Sequence, residues 1–221
     1  MKEYIEKNLK ETKEKLLYNR IVVYIKDPLP EDFDLDYVFS KIQEVVPEHL
    51  SYGVDSILVG QFEDLKEREL DALYEDGAIY VTNQQQSEDD MVDDIIHELS
   101  HANEETYAAL IYADGNIERE FIGKRKKLFD ILKAEGYNIP VDVFMDTEYS
   151  KDFDTFLYKE VGYEKLTMLT MGIFVSPYGA TSLREYFANG FEHYFLHDLF
   201  YVKLISPVVY EKVDGITFME V

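Results

Sequence analysis

Apolar and polar positions repeat along this chain with two different periods, and turn residues mark where one period gives way to the other. The runs "RIVVYI" (residues 20–25), "VDSILVG" (54–60) and "AIYVTN" (78–83) are β-branched or aromatic and predict three buried strands. Between the first two, Val38, Ile42, Val45 and Val46 recur at helical spacing, so residues 35–46 are expected as a helix. "QQQSEDD" ends in a cap signal, Ser87 with Asp90 three residues later, and places acids where a helix dipole favours them. The helix that begins there is expected over 88–112, up to "ADGN", and another over 117–134, stopped by Gly136 and Pro140. A further helix is expected over 182–196, before "FYVKLISPVVYEKV" closes the chain.

Other stretches are less regular. The first twenty residues alternate acids with lysines and predict a solvated helix with i, i+4 pairs such as Glu11 with Lys15. "KDPLPEDFD" is turn and loop, and "EDLKERELDALYEDG" is a charged loop with a helical turn. Residues 141–177 mix aromatics with acids without a clean period and are expected as an insertion or lid with some helix. With no repeat and no linker-like composition, 1–221 is expected to form a single domain.

Composition narrows the chemistry. Hydrophobic residues make up 46% of the 221, with 18 Tyr and 14 Phe, so the chain is globular. It has no cysteine, which removes disulfides, thiolate sites and cysteine nucleophiles, and leaves His, Asp and Glu as the metal ligands. The net charge of −23 repels nucleic acid and anionic membranes, so a partner drawn by charge is a basic peptide or protein. No run of signal-peptide or membrane-spanning length occurs, and a cytoplasmic monomer is expected, released from a cell only by a route that needs no signal.

"HELSH", residues 97–101, lies inside the expected 88–112 helix. Residues four apart share a helix face, so His97 and His101 can point two imidazoles at one zinc ion. Glu98 then projects beside the metal, where it can hold and deprotonate an attacking water. Five letters in so acidic a chain need support, and a zinc peptidase needs a third protein ligand. The spacing after His101 places Glu104 and Tyr107 where a metzincin has Gly and His, so that pattern is absent. Glu118 and Glu120 fall near a thermolysin-like position, but "GNIEREF" lacks the context. Glu185 in "SPYGATSLREYFANGF" is the better candidate, although Ser182 to Glu185 is equally a capping-box spacing.

From "HELSHANEE" through "KKLFDILKAEGYNI" to "YGATSLREYFANGFEHYF" the chain resembles the catalytic domain of anthrax lethal factor and its zincin relatives, among them the secreted Pro-Pro endopeptidases. In that group a lysine-rich helix follows the HExxH helix. A Tyr-Gly-x-Thr loop then precedes the Glu ligand by seven residues, counted from its Tyr. Tyr178, Gly179, Thr181, Glu185, Tyr186, Phe187 and Ala188 occupy those places here. The resemblance covers about residues 78–197, interrupted by 141–177, which is longer than in the relatives.

The resemblance implies an α+β zincin, a small mixed sheet over the HExxH helix followed by a mostly helical C-terminal half. It implies a Zn2+ cofactor held by His97, His101 and Glu185, with Glu98 as general base and Tyr178 as oxyanion donor, in an endopeptidase acting on a protein or peptide. This chain departs from lethal factor at Asn189, where lethal factor carries an acid, one turn after the Glu ligand. Zincins hold substrate as an added strand, so Ile79, Tyr80, Val81, Thr82 and Asn83 are expected to line the substrate edge, unless that strand is interior.

Three further readings stand beside these. Glu104 is a surface acid or a brace for a ligand. His193 and His197 repeat the i, i+4 spacing without the HExxH acid, which favours aromatic packing over a second metal site. In place of a general endopeptidase, the chain would be a silent zincin-like binding or toxin-associated module, or a protease that processes one partner or itself.

Overall fold

The structure, a computed structural model, describes residues 15–219 and has an α+β architecture with one five-stranded mixed sheet. The chain divides into two compact units, Met1–Thr106 and Tyr107–Val221.

In the first unit a tight turn replaces the end of the expected N-terminal helix. Tyr18 and Asn19 both adopt φ of 53°, and they fold β1 (Lys15–Leu17) antiparallel onto β2 (Ile21–Ile25). Burial of Leu17 and Ile21 outweighs helix propensity there. The Glu11 end of the Glu11–Lys15 pair lies outside the described residues. Helix α1 (Leu35–Val45) is capped by Asp34, whose carboxylate accepts the N–H groups of Asp36 and Tyr37, and it buries Leu35, Val38, Phe39 and Ile42.

Strand β3 (Ser56–Val59), helix α2 (Glu63–Arg68), strand β4 (Ala72–Glu75) and strand β5 (Ala78–Val81) complete a sheet ordered β1-β2-β3-β5-β4. The pairs β2–β3 and β3–β5 are parallel, and β4 is antiparallel to β5. Tyr24, Leu58, Tyr80 and Leu73 form one row across the sheet, and this face packs with Phe62, Leu65 and Leu70. Val23, Ile57, Ile79 and Val81 project from the opposite face and are fully buried.

Helix α3 (Glu88–Tyr112) has the bounds expected from the sequence. It is interrupted at Tyr107, whose φ of −116° and ψ of 22° are not helical, and the two units divide there.

In the second unit α4 (Asn116–Ala134) buries Ile117, Phe121, Leu128 and Leu132 together with two cations, Lys124 and Arg125. Residues 141–177, expected as an insertion or lid, are largely helical: α5 (Val141–Met145), α6 (Lys151–Thr155), a π-helical stretch (Phe156–Gly162) and α7 (Tyr163–Thr170). Their Phe144, Phe153, Leu157 and Phe174 belong to the core of this unit. Helices α8 (Leu183–Leu196), α9 (Leu199–Ile205) and α10 (Pro207–Thr217) follow. Among the described residues no helix is long and apolar enough to cross a membrane.

Candidate metal centre

Helix α3 starts as its sequence requires. Ser87 Oγ accepts the N–H of Asp90 at 3.1 Å, and Glu88, Asp89 and Asp90 occupy the first turn. Met91, Val92, Ile95, Ile96, Leu99 and Ala102 are buried and fix the rotation of the helix. Asn103 anchors its middle by donating to Leu50 O at 2.7 Å. The helix also passes so close to Gly53 that a Cβ there would lie 3.1 Å from the carbonyl of Ala102.

That rotation gathers His97, Glu98 and His101. One ligand atom from each lies within 4.8 Å of the others, and the two imidazole centroids are 5.3 Å apart. His101 Nδ1 lies 2.6 Å from Glu104 Oε2, a contact between two buried side chains. A carboxylate at Nδ1 leaves Nε2 as the nitrogen that could face a metal. Two imidazoles and carboxylates without thiolate form a donor set that suits zinc.

Glu98 is 7% exposed, and its Oε2 accepts the N–H of Tyr74 at 2.6 Å. Tyr74 lies on β4, so the sheet edge aims the carboxylate. The Tyr74 phenol bonds Glu105 at 2.9 Å, and its pKa is pushed up to about 12 by burial and by this acid. One turn before His97, burial pushes the Asp94 carboxyl up to about 7; the Gln85 amide (2.7 Å) opposes the shift, and the charges of Asp71 and Glu98 reinforce it. Asp94 lines a pocket of about 220 Å3 with Asp71, Asp90, Asp93 and residues 84–86.

Glu185 and Tyr178 belong to the second unit. Glu185 stands in the first turn of α8, and its N–H donates to Ser182 Oγ at 3.1 Å, so Ser182 is a helix cap. Tyr178 opens a single 3-10 turn, Tyr178–Ala180, whose geometry is closed by Thr181 Oγ1 donating to Tyr178 O at 2.8 Å. Arg125, 1% exposed, secures this loop by donating to the carbonyls of Ala180 (2.6 Å), Thr181, Val143 and Phe144. Burial lowers its pKa to about 10.

Of the rival third ligands, Glu118 is exposed. Glu120 has both oxygens engaged within its own unit, accepting from Tyr186 Oη at 2.6 Å and from the N–H of Val208 at 3.1 Å. Asn189 Oδ1 accepts a hydrogen bond from Ser176, a partner in the same unit.

One expectation is corrected. Ile79, Tyr80 and Val81 lie in β5, which pairs with β3 on one side and β4 on the other, and Thr82 and Asn83 follow it. Asn83 is turned inward, donating to Pro28 O at 2.7 Å. The edges belong to β1 and β4, and β4, the one beside β5, is concealed in a charged run. Its signal is the dipeptide Asp76-Gly77, with φ of 48° and 78°, a two-residue hairpin turn. Arg125 carries no sequence signal that separates it from its lysine neighbours.

A second group, Glu192, His193 and His197, lies at the end of α8, and burial lowers the pKa of His193. No protein-family model, no curated protein and no solved structure matches the chain.

Proposed function

We propose that the chain is a zinc-dependent endopeptidase of zincin fold. Its chief support is the cluster on α3: two imidazoles and Glu98 within ligand reach, His101 backed by Glu104, and Glu98 aimed by the N–H of Tyr74. His97 and His101 would hold the metal, with Glu185 as the proposed third protein ligand. The chemistry that zinc supplies when bound is Lewis acidity toward the scissile carbonyl and acidification of water near neutral pH. Glu98 takes the proton of the attacking water and passes it to the leaving amine. Tyr178 donates its phenol hydrogen to the developing oxyanion, a contribution on the order of 3 kcal/mol.

The substrate pairs with β4 in place of β5. Asp71 O accepts the Thr82 N–H across the hairpin at 2.8 Å, while Tyr74 N–H points to Glu98, so the backbone groups of Ala72 and Tyr74 point away from β5. A peptide added there passes beside the Glu98 carboxylate.

Digestion of a peptide library by wild type and Glu98→Gln, with sites read by mass spectrometry, tests the mechanism. Wild type should cleave, and Glu98→Gln should lose at least about 10²- to 10⁴-fold in rate. Equal cleavage by the two would refute it. Loss of bound zinc in Glu120→Ala with retention in Glu185→Ala would show the Glu185 assignment to be wrong.

A further inference from the structure

The last turn of α8 carries a second set of metal-ligating side chains. Glu192, His193 and His197 each offer a ligand atom, and those atoms lie within 4.8 Å of one another. The imidazole centroids are 4.4 Å apart with 50° between the ring planes, and Glu192 Oε1 is 4.0 Å from His197 Nε2. His197 is the C-cap of the helix, and its N–H closes the turn on the carbonyl of His193 at 3.1 Å, so the backbone sets the spacing of the pair. We propose that Glu192, His193 and His197 bind a second divalent transition ion of the zinc type, independently of the centre on α3.

Donor chemistry selects the ion. Two imidazoles with one carboxylate suit zinc, nickel or cobalt, whereas magnesium and calcium take oxygen ligands. A tetrahedral ion with bonds of about 2.1 Å holds its ligand atoms about 3.4 Å apart, so modest side-chain rotation closes the observed gaps. Position adds to this, because a helix C-terminus concentrates unsatisfied carbonyls and favours a cation. The ion ties the last turn of α8 before α9 begins at Leu199.

Aromatic packing links the neighbours of these residues to one another. Phe191 packs on Phe187 and Phe195, and Tyr194 packs on Phe195 and Tyr210 while bonding Asp214. The two imidazoles meet each other at a tilt, with the Glu192 carboxylate beside them. The side chain of His197 is 46% exposed and that of Glu192 19%, so water completes the coordination and the ion exchanges.

The test uses the full chain stripped by a chelator. In a His97→Gln/His101→Gln background, which lacks the α3 centre, zinc uptake is measured by calorimetric titration and elemental analysis. One equivalent should bind, and Glu192→Gln/His197→Gln should abolish it with the far-ultraviolet circular dichroism unchanged. No uptake in the background, or uptake unaffected by the Glu192 and His197 changes, overturns the proposal. If the background does not fold, the same changes in the wild type should lower its zinc content by one equivalent, and an unchanged content overturns the proposal equally. Because peptidase activity is not the readout, failure here leaves the Glu98 experiment untouched.

Discussion

Glu104 and Lys124 show how one side chain sets the behaviour of another. With its carboxylate 2.6 Å from His101 Nδ1, Glu104 would, on the peptidase reading, orient the imidazole so that Nε2 faces the metal. Glu104→Gln keeps the shape and loses the charge, so zinc affinity should fall about 10- to 100-fold, and saturating zinc should restore cleavage. Activity measured against buffered free zinc checks this; identical curves for variant and wild type would reduce the contact to a structural one. Lys124 donates to the carbonyls of Ile173 and Ile205, and burial lowers its pKa from 10.5 to about 8. Below that value folded and unfolded chains are both protonated and the burial penalty is complete. Between the two pKa values the unfolded chain keeps a proton that the folded chain has released, so stability rises with pH. Thermal melts between about pH 8 and 9.5 should show this rise in wild type and a flatter profile in Lys124→Met.

At the scale of elements, α8 and α10 meet through a glycine. A Cβ at Gly190 would lie 2.3 Å from Val209 Cγ1 and 3.2 Å from its Cβ. Val209 is fully buried, and its branched side chain has one favoured helical rotamer, so it cannot yield. Gly190→Ala should therefore destabilise by about 1–3 kcal/mol in urea unfolding despite its better helix propensity. Val209→Ala in the same chain should recover part of that loss, and strictly additive effects would contradict the contact. The sheet shows the complementary case. Strand β4 reads as charged loop because Leu73, Tyr74 and Glu75 are held by one neighbour, with only Ala72 buried. Of the strands with two neighbours, β3 and β5 are buried throughout and β2 is buried at Ile21 and Val23, and all three were legible as apolar runs.

For the whole molecule the dominant quantity is the net charge of −23. If the peptidase reading holds, peptides rich in Lys and Arg should be cleaved with the higher kcat/KM. That advantage should fall severalfold as ionic strength rises from about 20 to 200 mM, because screening shortens the reach of the field. A preference insensitive to salt would place specificity in local contacts instead.

Periodicity and caps carried the helices. The bounds of α3 followed from Ser87 and the acids after it, and "HELSH" followed from the i, i+4 geometry that any helix imposes. These are local effects, written in consecutive residues. Contacts between distant residues lie beyond that reach. Which strand forms the sheet edge depends on β4 pairing with β5, and Leu17 joins a sheet because a turn at Tyr18 and Asn19 folds it back. A guanidinium in a lysine-rich run becomes the anchor of the 178–181 loop only because four carbonyls converge on it. The same holds for the N–H of Tyr74, twenty-four residues before Glu98 and hydrogen-bonded to it. Hydrogen bonds and burial between residues far apart in the chain decide such features, and those arise only when the chain has folded.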